Sequence, residues 1–377
     1  MARKLKSDKL LFTATLLLVC TSVVMVYSAS AFIAKENMND QYLFLFKQGT
    51  WALLGLGLVP LMMRIDYRTY RQPVVIWTGL AVVTLALIAV LFGHARNGAN
   101  RWLLFGPLGV QPSELAKIVV IVFIAALLER RMDRIDEPAY ALLPIGLVLG
   151  LIVALILREP DLGTSVSIVV IAAVMVFAAG IDYRYVAGVG LAAMPALYFL
   201  LAFSEYRWRR VTAFLNPWAH PLDDGFQIIQ SMIAVGTGGV FGRGLMQGVQ
   251  KLFYLPEPHN DFIYAVIAEE LGFIGATVVV ICFCVITWRG LRTALRAPDR
   301  FGAFLALGLT TMIAFQAFFN VSVVLGLLPT KGIPLPFVSY GGSSLLINLL
   351  GMGILLNVSQ HASSSHVITT ALSTQDA

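Results

Sequence analysis

Ten apolar stretches constrain this chain more than any other feature. They run over Leu10–Ile33 and then near residues 47–63, 73–93, 113–128, 139–157, 163–180, 185–203, 263–288, 302–327 and 340–359. Each is close to the roughly 20 residues a helix needs to cross the hydrocarbon core of a bilayer. Of the 377 residues, 13% are charged and 58% are hydrophobic, whereas soluble domains carry about 25% charge. Too few charges remain to cover a soluble surface of this size, so the expected fold class is an all-α polytopic membrane protein of about ten transmembrane helices. The basic start, Met1 to Lys9, looks like that of a signal peptide. The apolar run behind it is too long, and further spans follow, so it reads as an uncleaved first helix.

Loop charge sets the orientation. Lys and Arg cluster at Arg3, Lys4, Lys6 and Lys9, at Arg64, Arg68 and Arg71, at Arg130, Arg131 and Arg134, and at Arg289, Arg292, Arg296 and Arg300. All fall on one side if the spans alternate, and that side is expected to be cytoplasmic. The net charge of +6 then needs no nucleic acid to explain it. The expected layout is a cytoplasmic tail over residues 1–9, a membrane domain over 10–360 and a disordered cytoplasmic tail over 361–377, with both termini inside. On the outer face, the connection over residues 204–262, between the seventh and eighth spans, is much the longest, and long loops are often functional. Its Phe226–Ala234 stretch is amphipathic and suits the membrane interface. Cys20, Cys282 and Cys284 lie in apolar runs without metal-ligand spacing, which predicts buried, inert thiols.

The stretch Leu255–Gly272, LPEPHNDFIYAVIAEELG, turns from polar and proline-broken to apolar at Asp261. Asp261 has two readings: a helix N-cap, a role Asn260 could also fill, or a general base whose carboxyl is pushed up by desolvation. Glu257 and His259 are neighbouring candidates. Glu269 and Glu270 are adjacent and cannot share one helix face; a structural role is expected, with one of them facing a polar interior or bonding a neighbouring helix. In NRWLLFGPLGVQPSELAK, Arg101 beside Trp102 suits a phosphate contact with an aromatic wall, or a membrane-edge anchor. Ser113 is a candidate cap. Glu114 and Lys117 are spaced to pair, either as a structural bridge or as one wall of a polar cavity. Arg158, Glu159 and Asp161 in REPDLGT read as a local ion-pair turn, with a share in an outer pocket as the alternative. YRWRR at 206–210 suits anionic headgroups. Lys331–Ser344, KGIPLPFVSYGGSS, reads as a re-entrant segment, tolerated in a membrane only where protein or water covers its backbone.

In this order between ten spans, NRWLLFGPLGVQPSELAK, EPDLGT, LPEPHNDFIYAVIAEELG and LPTKGIPLPFVSYGGSS resemble the SEDS family (shape, elongation, division, sporulation) of FtsW and RodA type. The likeness extends from Tyr27 to about His361, and RRVTAFLNPWAHPLDDGFQIIQS, GVQKLFYLPEP and GMGILLNVSQ look closer to FtsW. Asn260 stands where many relatives have Thr. The resemblance implies a peptidoglycan glycosyltransferase of the bacterial cytoplasmic (inner) membrane, which polymerises lipid II at the outer face for septal synthesis. It implies a class B penicillin-binding transpeptidase and divisome proteins as partners, contact with membrane lipids, and no nucleic acid. It maps the family's essential aspartate onto Asp261 and makes a divalent cation (Mg or Mn) an expectation, with no organic cofactor. Arg101, Trp102, Glu114, Lys117, Glu257, His259, Lys331 and Ser339 are the candidate substrate-binding residues. A lipid II flippase, a RodA-like elongation polymerase and a noncatalytic scaffold for the transpeptidase are the competing readings.

Overall fold

A computed structural model describes residues 7–92, 101–105, 108–134, 137–223 and 225–373. Twelve helices follow one another among them: α1 (Lys9–Met38), α2 (Leu43–Arg64), α3 (Pro73–Leu91), α4 (Pro112–Arg131), α5 (Pro138–Arg158), α6 (Leu162–Ala178), α7 (Tyr183–Ala202), α8 (Glu205–Leu215), α9 (Phe226–Gly238), α10 (Ile263–Leu295), α11 (Arg300–Val324) and α12 (Gly342–Ser373). The expected spans coincide with α1–α7 and α10–α12. Six of these, α1, α2, α3, α10, α11 and α12, are long and apolar enough to cross a membrane by length and composition, and the chain is a multi-pass membrane protein. A short antiparallel hairpin, β1 (Leu103–Phe105) with β2 (Leu108–Val110), precedes α4.

Burial separates the centre of the bundle from its rim. The apolar windows of α11 and α12 are 67% and 78% buried, against 22% and 28% for α2 and α3, so α11 and α12 form the interior. α10 packs on α11, α1 and α9, and α4 packs on α11, α3 and α6. The basic clusters gather at one end. Asp8 accepts from Arg289, Arg68 pairs with Asp299 at 3.1 Å, and Arg71 pairs with Glu129 at 3.2 Å. Asp261 precedes the first residue of α10, whereas Arg289, Arg292 and Arg296 lie at its last turns.

α10 is broken rather than continuous. Gly272 has φ 67° and ψ −167°, open to glycine without strain, and a Cβ there would lie 2.2 Å from the Gly242 nitrogen. The backbone groups released by the break bond to the preceding loop. Arg243 N and Gly244 N donate to the Glu269 and Glu270 carbonyls, and Phe273 N and Ile274 N donate to Gly239 O and Val240 O. Both glutamates are fully buried, and both hold this loop. Val249 N donates to Glu269 at 2.8 Å, and Met246 N to Glu270 at 3.0 Å. Lys251 and Ser28 complete the Glu270 shell at 2.5 Å and 2.7 Å. Both glutamates thus have structural partners in the same loop, because the break turns their helix face into a loop-binding nest.

α9 packs against α10 and α11, with Ser231 Oγ donating to Val324 O at 2.7 Å. Two expectations are corrected. Gln111, not Ser113, occupies the α4 N-cap position, because Pro112 takes the first helical turn. Cys20 and Cys284 are exposed on the outer helix faces, and Cys282 is buried. α12 is helical from Gly342 to Ser373.

Candidate active site

Asp261 is not a helix cap. The N-cap of α10 is Phe262, which makes no side-chain cap bond, and Asn260 donates its amide to Glu257 at 2.6 Å instead. The Asp261 carboxylate lies half-buried against Gly332: a Cβ on that glycine would come within 2.5 Å of Oδ2. Asn320, buried on α11, fixes the approach. Its Nδ2 donates to the Asp261 and Ile333 carbonyls, each at 2.8 Å. One amide thus clamps the 257–261 segment to the 331–333 segment.

The charges around this carboxylate come from distant parts of the chain. Burial pushes the Asp261 carboxyl up to about 6; Glu257 and Asp161 add to the rise, and Arg210 and Arg101 oppose it. Arg210, on α8, donates to Thr330 O at 3.3 Å. Arg101 donates to Glu159 O at 2.9 Å and to Pro160 O at 2.8 Å. Asp161 caps α6, accepting from Thr164 N at 3.2 Å and Thr164 Oγ1 at 2.7 Å. The REPDLGT turn is therefore held by a cap and by Arg101 rather than by a local ion pair, and Arg158 is exposed. Glu159 is buried with both carboxylate oxygens unbonded, and burial first, then Asp161, raises it to about 8. At neutral pH it is a protonated acid beside the ionised groups.

The remaining expected residues divide. Glu257 is exposed, with its side chain 61% accessible, and stands 3.9 Å from His259. Trp102 is exposed. Lys331 passes α6, where a Cβ on Gly163 would lie 3.3 Å from its Cε. His259 is buried; its ring meets Phe44 at 4.8 Å and Tyr340 at 5.5 Å, and burial lowers its pKa. It forms the floor of the segment rather than its surface. Ser339 is buried and accepts from Leu335 N at 2.8 Å, which commits its hydroxyl to a turn. Glu114 and Lys117 pair at 2.8 Å with side chains 4% and 2% exposed, a closed bridge inside α4. Sequence reasoning missed Arg210 and Asn320 as site residues, and it favoured a plain turn for Glu159 and Asp161.

Protein side chains cover the irregular backbone of 331–344. Ser22 Oγ donates to Val338 O at 2.9 Å, Gln48 Nε2 to Ser339 O at 3.4 Å, and Asn320 to Ile333 O. Side chains from α1, α2 and α11 thus replace the water this irregular backbone lacks. As to a divalent ion, no three His, Cys, Asp or Glu side chains among the described residues converge as metal ligands. Glu159 is buried with its carboxylate oxygens unbonded, and Asp161 is committed to a cap.

The chain matches a family model for cell cycle proteins of the FtsW, RodA and SpoVE type over residues 8–364. It is 46% identical over 353 residues to a "probable peptidoglycan glycosyltransferase FtsW" of Geobacter sulfurreducens, covering 93% of this chain and 95% of that one. It is 43% identical over 366 residues to stage V sporulation protein E of Bacillus subtilis, covering 96% and 99%. A chain of a peptidoglycan synthase complex, solved for its coordination of polymerization and crosslinking, superposes with a TM-score of 0.78 at 30% identity over 95% of this chain and 99% of that one. The rod shape determining protein RodA of Thermus thermophilus superposes with a TM-score of 0.70 at 28% identity, covering 95% and 98%. The apolar helical bundle, the broken helix behind a half-buried aspartate and these likenesses together place the chain in the FtsW/RodA/SpoVE family, the SEDS proteins, nearer to FtsW than to RodA.

Proposed function

We propose that this chain is a peptidoglycan glycosyltransferase that polymerises lipid II at the outer face of the bacterial cytoplasmic membrane, with Asp261 as the general base. The observation that carries this reading is the Asp261 carboxyl, seated against Gly332 within reach of two arginine fields and raised to about 6. A base with that pKa is ionised at neutral pH and still accepts a proton readily. The basic end of the bundle lies in the cytoplasm, which puts both termini inside and Asp261 outside.

In the reaction, the 4-hydroxyl of the acceptor sugar gives its proton to Asp261 as its oxygen attacks C1 of the donor MurNAc. The bond from C1 to the lipid diphosphate breaks, and the departing oxygen carries the electron pair. Inversion at an α-linked donor gives a β-linked strand in one displacement, without a covalent enzyme intermediate. Arg210 and Arg101, whose charges act on the carboxylate, and Lys331, next to Gly332 in the chain, supply positive charge for the leaving diphosphate. Asn320 keeps the base and the 331–333 segment in register. The transpeptidase partner is of the penicillin-binding class B type, and the duty is septal synthesis with divisome proteins.

The test is glycan-strand formation from lipid II by the purified chain with its transpeptidase partner. Wild type should yield polymer and Asp261→Asn none, with the complex still assembled. Translocation of lipid II across liposomes without polymer would replace this reading with a flippase.

A further inference from the structure

Far from Asp261, the basic end holds a cleft of about 480 Å³ between the start of α1, the last turns of α10 and the inner part of α12. Lys9, Arg289, Arg292 and Arg296 line it, and Asp8 is the one acidic lining residue. Asp8 is already committed. Its Oδ1 caps α1 through Leu11 N at 3.2 Å, and its Oδ2 takes Arg289 at 2.6 Å. Among the described residues, Lys9, Arg292 and Arg296 form no ion pair. Three cations from two helices thus converge on one hollow whose acidic residue among those described, Asp8, is committed to Leu11 and Arg289.

The plain alternative is a topological charge belt. The α10 C-terminus is a negative dipole end and suits Arg292 and Arg296 by itself, but it does not account for Lys9, at the start of α1, on the same hollow. Next to the basic face, α10 carries an outward stripe of Ile281 (53% exposed), Trp288 (58%), Leu291 (41%) and Leu295 (89%). These residues share one helix face at about 100° per residue. The Arg289 guanidinium lies 5.5 Å from the Trp288 ring centroid, where a membrane-edge aromatic stands. A basic hollow beside a lipid-facing apolar stripe has the two parts of a phospholipid site: phosphate in the cleft, acyl chains along the helix.

We infer that this cleft binds the phosphate of an anionic phospholipid from the inner leaflet, a site separate from the proposed chemistry at Asp261. The shared chemistry, a phosphate group, could also come from a soluble polyphosphate; the apolar stripe favours the lipid.

The test is native mass spectrometry of the detergent-purified full chain titrated with phosphatidylglycerol or phosphatidylcholine. Phosphatidylglycerol should be retained preferentially. Each basic side chain near a membrane surface is worth about fivefold, so Arg292→Gln with Arg296→Gln should weaken retention roughly 30-fold. Arg292→Lys with Arg296→Lys should preserve it. Arg64→Gln with Arg184→Gln removes the same charge from exposed positions outside the cleft and should weaken retention clearly less than the cleft pair does, since neither side chain lines the hollow. Equal losses in the cleft and control variants, equal retention of the two lipids, or undiminished retention by the Gln variant at an unchanged melting temperature would each overturn the assignment. Inorganic diphosphate that binds the lipid-free chain and displaces phosphatidylglycerol at equal concentration would overturn the lipid source; resistance to displacement supports it.

Discussion

Asp261→Asn should remove activity and stabilise the protein, and the two effects share one cause. Raising a carboxyl from 3.8 to about 6 places a penalty of up to about 3 kcal/mol on its ionised form. The folded state holds the proton more tightly than the unfolded chain does. The wild type therefore has its full stability below pH 3.8 and loses it progressively as pH rises through about 6. Asparagine keeps the shape and never ionises. At pH 7.5 the variant should melt roughly 3–6 °C above wild type in detergent, a gap that closes as pH falls toward 4. Polymer formation from lipid II should drop by about 10²–10⁴, and the wild-type rate should rise with pH to a plateau above about 6. A variant that loses activity together with stability at pH 7.5 would refute the reasoning, because the carboxylate would then be a structural anchor and not a desolvated base. A pH-independent wild-type rate between 5 and 8 would refute it from the other side.

Gly332→Ala puts a methyl 2.5 Å from the Asp261 carboxylate, and it should cut polymerisation at least about tenfold while expression and melting temperature stay near wild type. Glu159, raised from 4.5 to about 8, holds its proton more tightly in the folded state, so the wild type should lose stability as pH rises from 4.5 through about 8, and Glu159→Gln should melt above wild type at pH 7, with the gap closing as pH falls toward 4.5. Lys117→Met strands Glu114 as a buried charge and should cost about 3–5 kcal/mol, read as a lower melting temperature and poor recovery from membranes; exchanging the two charges should restore part of it.

The bundle was legible because hydropathy and helix length are local quantities. Ten apolar runs needed no neighbours to declare themselves, and the Lys and Arg clusters beside them already marked the end that gathers Asp8, Arg289, Arg68 and Asp299. Asp261 could be singled out as a carboxylate at the seam between loop and apolar helix, and Glu114 with Lys117 as a pair three residues apart. What needed the third dimension was everything non-local. Arg210 reaches the Asp261 field from a segment some 50 residues earlier, and Asp161 belongs to the same field only because α6 packs on α11 and α4. Asn320 reads as one more polar residue in an apolar run until its amide is seen to join two loops. Adjacent Glu269 and Glu270 look incompatible on a continuous helix; the break at Gly272 lets one loop satisfy both. Burying charge in a membrane protein requires a partner, and partners are chosen by packing rather than by proximity along the chain.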